Sequence, residues 1–123
     1  MANYTPEDEL IIEQKYNELL ASCNKICKSE SDWDMIVKAF SLAKDAHKGV
    51  RRRSGEPYIL HPIAVAKIVV DEVGLGVKST VAALLHDVVE DTDYTLADLE
   101  AMGFSQTVLQ ALALTCVIPY STA

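Results

Sequence analysis

The sequence predicts an all-α domain, a compact multi-helix bundle with short connections. Apolar residues recur at helical spacing behind recognisable start signals, and no segment sustains the period-two alternation of a half-buried strand. At 123 residues, half of them hydrophobic, the chain fits one core and one domain spanning residues 1–123. It shows no internal repeat, low-complexity tract or interdomain linker.

The first helix opens at Thr5-Pro6-Glu7-Asp8, a cap residue followed by proline and acids in the first turn. Its stripe of Ile12, Tyr16, Leu19, Leu20, Cys23, Ile26 and Cys27 predicts an end near Lys28. A second capping box, Ser31-Asp32-Trp33-Asp34, starts a helix whose stripe runs Trp33, Ile36, Val37, Phe40, Ala43 and on to His47, with Gly49 as the stop. From Gly49 to Leu60 the period is lost and Gly, Ser, Pro and three arginines accumulate, which reads as a functional loop. Pro62 starts a third helix through about Glu72, with His61 just before its first turn, and Gly74 and Gly76 break it. A fourth helix follows from about Ser79 to Asp91. Thr95-Leu96-Ala97-Asp98 caps a short fifth that ends at Gly103, and Ser105 begins a sixth carrying Val108, Leu109, Leu112 and Thr115. The last residues, Val117 to Ala123, stop without structural completion, so the final helices of the bundle are expected to be missing.

Composition excludes several classes. A net charge of −7 opposes general nucleic-acid binding, because a phosphate backbone would be repelled by most of the surface. No apolar stretch approaches bilayer length, and Met1-Ala2-Asn3-Tyr4 offers no secretory signal, so a soluble, cytoplasmic protein is expected. Cys23 and Cys27 share a helix face and read as small buried hydrophobes, without the CxxC of a zinc site. Charge is nonetheless uneven. Lys44, Lys48, Arg51, Arg52 and Arg53 gather five of the eleven basic residues opposite Asp45 alone, where a small polyanion could dock.

The strongest chemical constellation is His86-Asp87 followed by Glu90-Asp91. At 100° per residue, Glu90 lies one turn from His86 and Asp91 one turn from Asp87, so four ionisable groups share one side of a helix that is otherwise apolar or small. Three acids near a helix C-terminus oppose the macrodipole, which argues for chemistry rather than stability. Imidazole with carboxylate suits a first-row divalent ion. Two adjacent ligands on one helix rarely complete a site, so a third must come from elsewhere. His61 can point into a cleft from the head of its helix. His47 continues an apolar stripe and is expected to be packed, or to support ligation from outside.

The runs Ala43-Lys44-Asp45-Ala46-His47-Lys48-Gly49, Arg52-Arg53-Ser54-Gly55-Glu56-Pro57-Tyr58-Ile59-Leu60-His61-Pro62 and Val81-Ala82-Ala83-Leu84-Leu85-His86-Asp87-Val88-Val89-Glu90-Asp91-Thr92 resemble the hydrolase domain of RelA/SpoT-type alarmone enzymes and small alarmone hydrolases. Several rare motifs stand in the same order and spacing over about residues 33 to 115. The resemblance implies an HD-type bundle that removes the 3′-pyrophosphate from the guanosine alarmones (p)ppGpp, giving GDP or GTP. It implies that His61, His86 and Asp87 hold a manganese ion, that Glu90 and Asp91 activate water, and that Arg52, Arg53 and Ser54 hold the guanine nucleotide. A fourth ligand, a later aspartate in the family pattern, lies past the end of this chain, and weak retention of the ion is the expected consequence. Leu112 to Tyr120 is similar to a Leu-Thr-His and Pro-Tyr pattern of the smaller hydrolases, with Cys116 where histidine is common. Two further readings stay open: an HD-type phosphohydrolase acting on another nucleotide, and a noncatalytic domain that binds a nucleotide, a partner protein or a second copy.

Overall fold

The computed structural model describes residues 4–117. Its order is α1 (Pro6–Cys23), α2 (Glu30–Ala46), α3 (Leu60–Ile68), a π-helical turn (Val69–Val73), α4 (Val77–Asp91), α5 (Leu96–Ala101) and α6 (Gln106–Val117). Among the described residues no strand forms, and the all-α prediction holds. The expectations placed on Thr115, Cys116, Pro119 and Tyr120 concern side chains outside the described residues.

The local signals work as capping chemistry requires, with shifts at three boundaries. Thr5 caps α1 in a reciprocal box with Asp8, and Thr95 caps α5 in the same way with Asp98. Helix α1 ends at Cys23 rather than near Lys28. Backbone bonds from Asn24 to Ala21, Lys25 to Ser22 and Ile26 to Cys23 tighten the chain into turns, so Ile26 and Cys27 extend the apolar stripe without extending the helix. The cap of α2 is Ser29, not Ser31: its hydroxyl accepts from Asp32 N, while the Asp32 carboxylate accepts from Lys28 N. Helix α3 starts two residues before Pro62, which places His61 inside the first turn. Pro62 is tolerated there because the first amides of a helix have no carbonyl to meet.

Past α3 the helix widens into one π-helical turn. The Gly74 amide donates to Val69 O, five residues back, and Gly74 itself adopts φ 77°, which glycine reaches without a Cβ penalty. Gly76 then caps α4.

Helix α4 is the axis of the bundle, packed by α2, α3 and α6, while α1 lies against α3. Its inner face buries Val81, Leu84, Leu85 and Val88. Ile36 and Phe40 of α2, Ile63 of α3 and Val108 and Leu112 of α6 belong to the same core. Tyr16 stacks on Phe40 with ring centroids 3.7 Å apart, joining α1 to α2. Cys23 is buried, and desolvation pushes its thiol up to about 11, which fits the inert role expected of it.

Asp71, in the π-helical turn, ties α1 to α3. It accepts from Ser22 Oγ at 3.0 Å, Lys25 Nζ at 2.8 Å and Lys67 Nζ at 2.7 Å. The Lys25 bond, then those from Lys67 and Ser22, hold its carboxyl far below the usual carboxylate range. A depressed folded-state pKa stabilises the fold above the ordinary value and loses that contribution as pH falls. Asp71→Asn should therefore unfold at a lower temperature than the wild type at neutral pH, and the gap should close as pH drops below roughly 4. Thermal melts across pH 2 to 8 check this; a gap independent of pH would assign the loss to packing.

Candidate functional site

The outer face of α4 presents His86, Asp87 and Glu90, whose ligand-type atoms lie within 4.8 Å of one another. His86 Nδ1 stands 3.1 Å from Asp87 Oδ1, and its Nε2 2.7 Å from Glu90 Oε2. Each ring nitrogen thus faces a carboxylate. If one turned to an ion, the other would keep a partner that fixes tautomer and ring plane. His61, carried in by the first turn of α3, brings Nε2 to 3.8 Å from Asp87 Oδ2. The two histidines and the aspartate therefore meet at Asp87 although they come from two helices. The donor set fits a first-row divalent cation: imidazole nitrogens and carboxylate oxygens, partly open to solvent.

These groups line a cleft of about 970 Å³ whose walls also include Tyr58, Asp91 and Arg52. Beside it a second recess of about 680 Å³ is bordered by Arg51, Arg52, Arg53, Ser54 and His47. Arg52, Tyr58 and Asp91 border both, so the basic loop lies next to the His-Asp cleft. The loop is a tight turn. Arg52 N donates to Glu56 O and Gly55 N to Arg52 O, both at 2.8 Å, with Gly55 at φ 96°. Ser54 Oγ donates to Glu56 Oε1 at 2.8 Å, which leaves the hydroxyl oxygen as an acceptor toward the recess. Arg52 and Arg53 are exposed.

Tyr58 is the residue that sequence reasoning left out of the site. Its hydroxyl donates to Asp87 Oδ2 at 3.0 Å and lies 3.4 Å from Asp91 Oδ2. Its ring packs 4.7 Å from His47 and edge-on to His61 at 5.9 Å. Burial, followed by the Asp87 hydrogen bond and the charges of Asp87 and Asp91, pushes the phenol well above its ordinary pKa, so it stays protonated and acts as a donor. The available signal was its spacing: a tyrosine three residues before His61 sits one turn away, with a polar tip long enough to reach a neighbouring helix.

His47 is buried as its stripe predicts, and its Nε2 has no hydrogen-bond partner among the described residues. Desolvation lowers its pKa against the opposing pull of Asp87 and Asp91, so the neutral ring is favoured. Its ring packs against Tyr58, the residue that bonds Asp87.

A helical domain whose central helix carries a His-Asp pair, joined across a cleft by a histidine from another helix, defines a class built to hold a divalent ion. Residues 39–113 match the family model described as HD domain, and the chain belongs to that family. It is 48% identical over 73 residues, 59% of its length, to the guanosine-3′,5′-bis(diphosphate) 3′-pyrophosphohydrolase of Vibrio cholerae serotype O1. It is 45% identical over 87 residues, 68% of its length, to the bifunctional (p)ppGpp synthase/hydrolase SpoT of Escherichia coli K12. A GTP pyrophosphokinase of Streptomyces coelicolor is 48% identical over 64 residues, 52% of this chain. The matched region spans 10%, 12% and 7% of those proteins respectively, so the chain corresponds to about a tenth of the length of these relatives. The resemblance to the RelA/SpoT group is thereby borne out. No helix among the described residues is long and apolar enough to cross a membrane.

Proposed function

We propose that this domain hydrolyses guanosine 3′,5′-bis(diphosphate) and its triphosphate analogue to GDP or GTP and pyrophosphate, in the cytoplasm, with manganese as the ion. The observation that carries the reading is that the basic recess adjoins the His-Asp cleft, with Arg52, Tyr58 and Asp91 bordering both. Such a shape suits a ligand with a base at one end and a polyphosphate at the other. Two relatives whose names include (p)ppGpp hydrolysis support the same choice.

In this reading His61, His86 and Asp87 hold the ion, and Glu90 is placed to add a carboxylate to the same cluster. A divalent ion bound there supplies Lewis acidity and lowers the pKa of water. Arg52 and Arg53 offset the charge of the polyphosphate, one guanidinium plane also offering a face for the base, while Ser54 accepts a hydrogen bond. Asp91 and Glu90 orient water and take its proton as its oxygen attacks the phosphorus on the 3′-oxygen. The P–O3′ bond breaks, the 3′-oxygen is protonated, and pyrophosphate departs. Tyr58, from the loop ahead of α3, reaches both Asp87 and Asp91 of α4 and holds their orientation.

Incubation with manganese and ppGpp, with products resolved by ion-exchange chromatography, tests the reading. Equal amounts of GDP and pyrophosphate are expected, and unchanged ppGpp at saturating manganese would refute it. In the same assay Arg52→Ala with Arg53→Ala should raise KM about tenfold or more and change kcat much less, because these charges complement ground and transition states alike. An unaltered KM would remove the loop from the substrate site.

A further inference from the structure

The basic loop is not held by its own turn alone. The segment ahead of α1 and the first turn of α1 grip it where it leaves α2. The Tyr4 hydroxyl, with one proton to donate, lies 2.7 Å from Val50 O and 2.9 Å from His47 O, where α2 runs into the loop. The Arg51 guanidinium lies over the Tyr4 ring, 5.5 Å from its centroid. Arg51 Nη2 donates to Asp8 Oδ2 at 2.6 Å, and Nη1 donates to Gly55 O at 2.9 Å, across the turn that carries Arg52, Arg53 and Ser54. This pair is largely withdrawn from water, with the Asp8 side chain 16% exposed. Asp8 also accepts from Thr5 N, so the cap of α1 and the clamp on the loop share one carboxylate.

This arrangement divides four of the five clustered cations. Arg51 is committed to Asp8 and Gly55 O, and Lys44 pairs with Glu9 at 3.2 Å. Both acids come from the first turn of α1. The arginines that border the recess without such a tie to α1 are Arg52 and Arg53. We propose that Tyr4 and Asp8 are positioning residues for the nucleotide loop, acting through Arg51 and the His47 and Val50 carbonyls to present Arg52, Arg53 and Ser54 to a guanosine polyphosphate. The inference rests on the function proposed above. Its physical basis is preorganisation: a loop held in its binding conformation before the ligand arrives loses less entropy on binding. A planar guanidinium fork suits the task, since its donors are held in fixed directions toward a carboxylate on one side and a carbonyl on the other.

Two readouts test this in the whole chain. Asp8→Asn keeps an oxygen for Thr5 N and removes the charge opposite Arg51, while Tyr4→Phe keeps the ring and removes the hydroxyl. In each variant trypsin should cleave after Arg52 or Arg53 several times faster than in the wild type, with circular dichroism and the manganese affinity unchanged. Calorimetry with ppGpp should show affinity about tenfold weaker, and kcat at saturating ppGpp close to wild type. Asp8→Asn combined with Arg51→Gln should be no worse than Arg51→Gln alone, as expected of residues acting through one contact. Unchanged trypsin cleavage overturns the clamp, and faster cleavage with unchanged ppGpp affinity overturns its role in positioning. If the wild type itself does not bind ppGpp, the proposed function has failed, and the trypsin rates alone still decide whether α1 holds the loop.

Discussion

Replacing Asp87 by Asn is expected to reduce kcat/KM for ppGpp by on the order of 10³-fold or more while leaving the protein folded. Asp87 is where the site converges: His61, His86 and Tyr58 all reach its two carboxylate oxygens from separate positions. Asparagine preserves the volume and one acceptor for the Tyr58 hydroxyl, so the change isolates the charge. That charge is what a cation between two imidazoles needs, and the manganese affinity should fall with the turnover. The fold should not suffer, because the inner face of α4 is untouched. Asp87, Glu90 and Asp91 all lie near the C-terminal end of α4, whose last turn has no basic residue to offset them. Removing one of three acids there relieves repulsion and an unfavourable macrodipole interaction. The metal-free variant should then melt at or above the wild-type temperature, the pattern of a residue kept for function at a cost in stability. Turnover assays, manganese titration and metal-free melts measure the three parts. A variant within about tenfold of wild-type kcat/KM would remove Asp87 from the reaction.

How much of this was legible in the sequence depends on the range of the physics involved. The helices and their order followed from local signals, since the 3.6-residue period and the Thr5 and Thr95 capping boxes act within a few residues of themselves. The boundaries that shifted are those where two local solutions compete. Ser29 and Ser31 each stand three residues before an aspartate, and nothing local says that the Asp32 carboxylate will turn back to Lys28 N and favour the earlier cap. The stripe through Ile26 and Cys27 describes burial correctly and helix length wrongly, because a turn can bury the same face. The π-helical turn at Val69 has no period of its own to read.

The candidate site shows the same division. Four acidic and imidazole groups on one helix face follow from geometry along α4, and the approach of His61 was expected from what an adjacent pair lacks. Tyr58 was passed over because its partners are 29 and 33 residues away. Arg51 was grouped with its neighbours because composition counts charge without direction. Only the tertiary arrangement pairs it with Asp8, 43 residues earlier, and so separates a structural arginine from the two beside it.

The second large effect is expected from Leu84→Ala, in the buried core beside the site. Leu84 is fully buried, in the core that α2, α3 and α6 close around this helix. Truncating a leucine in such a position loses its transfer free energy and leaves a cavity that its neighbours fill only in part, for a cost of about 2–5 kcal/mol. A domain of this size has a total stability of about 5–15 kcal/mol, so one substitution would remove a large share of it. The melting temperature should fall by roughly 10–20 °C. Leu84→Met, which conserves volume, should cost less than about 1.5 kcal/mol. The consequence reaches the site because His86 and Asp87 stand two and three residues after Leu84 on the same helix. At temperatures where the variant is partly unfolded, ligand and unfolding compete for one population, and manganese with ppGpp should recover part of the lost melting temperature by mass action. Once folded, the variant should bind manganese as the wild type does, since Leu84 itself does not line the cleft. Chemical denaturation with and without the two ligands reads both effects. A loss below about 1 kcal/mol would contradict the central place of α4 in the core, and a variant whose own stability manganese and ppGpp do not raise would count against their binding to the native fold.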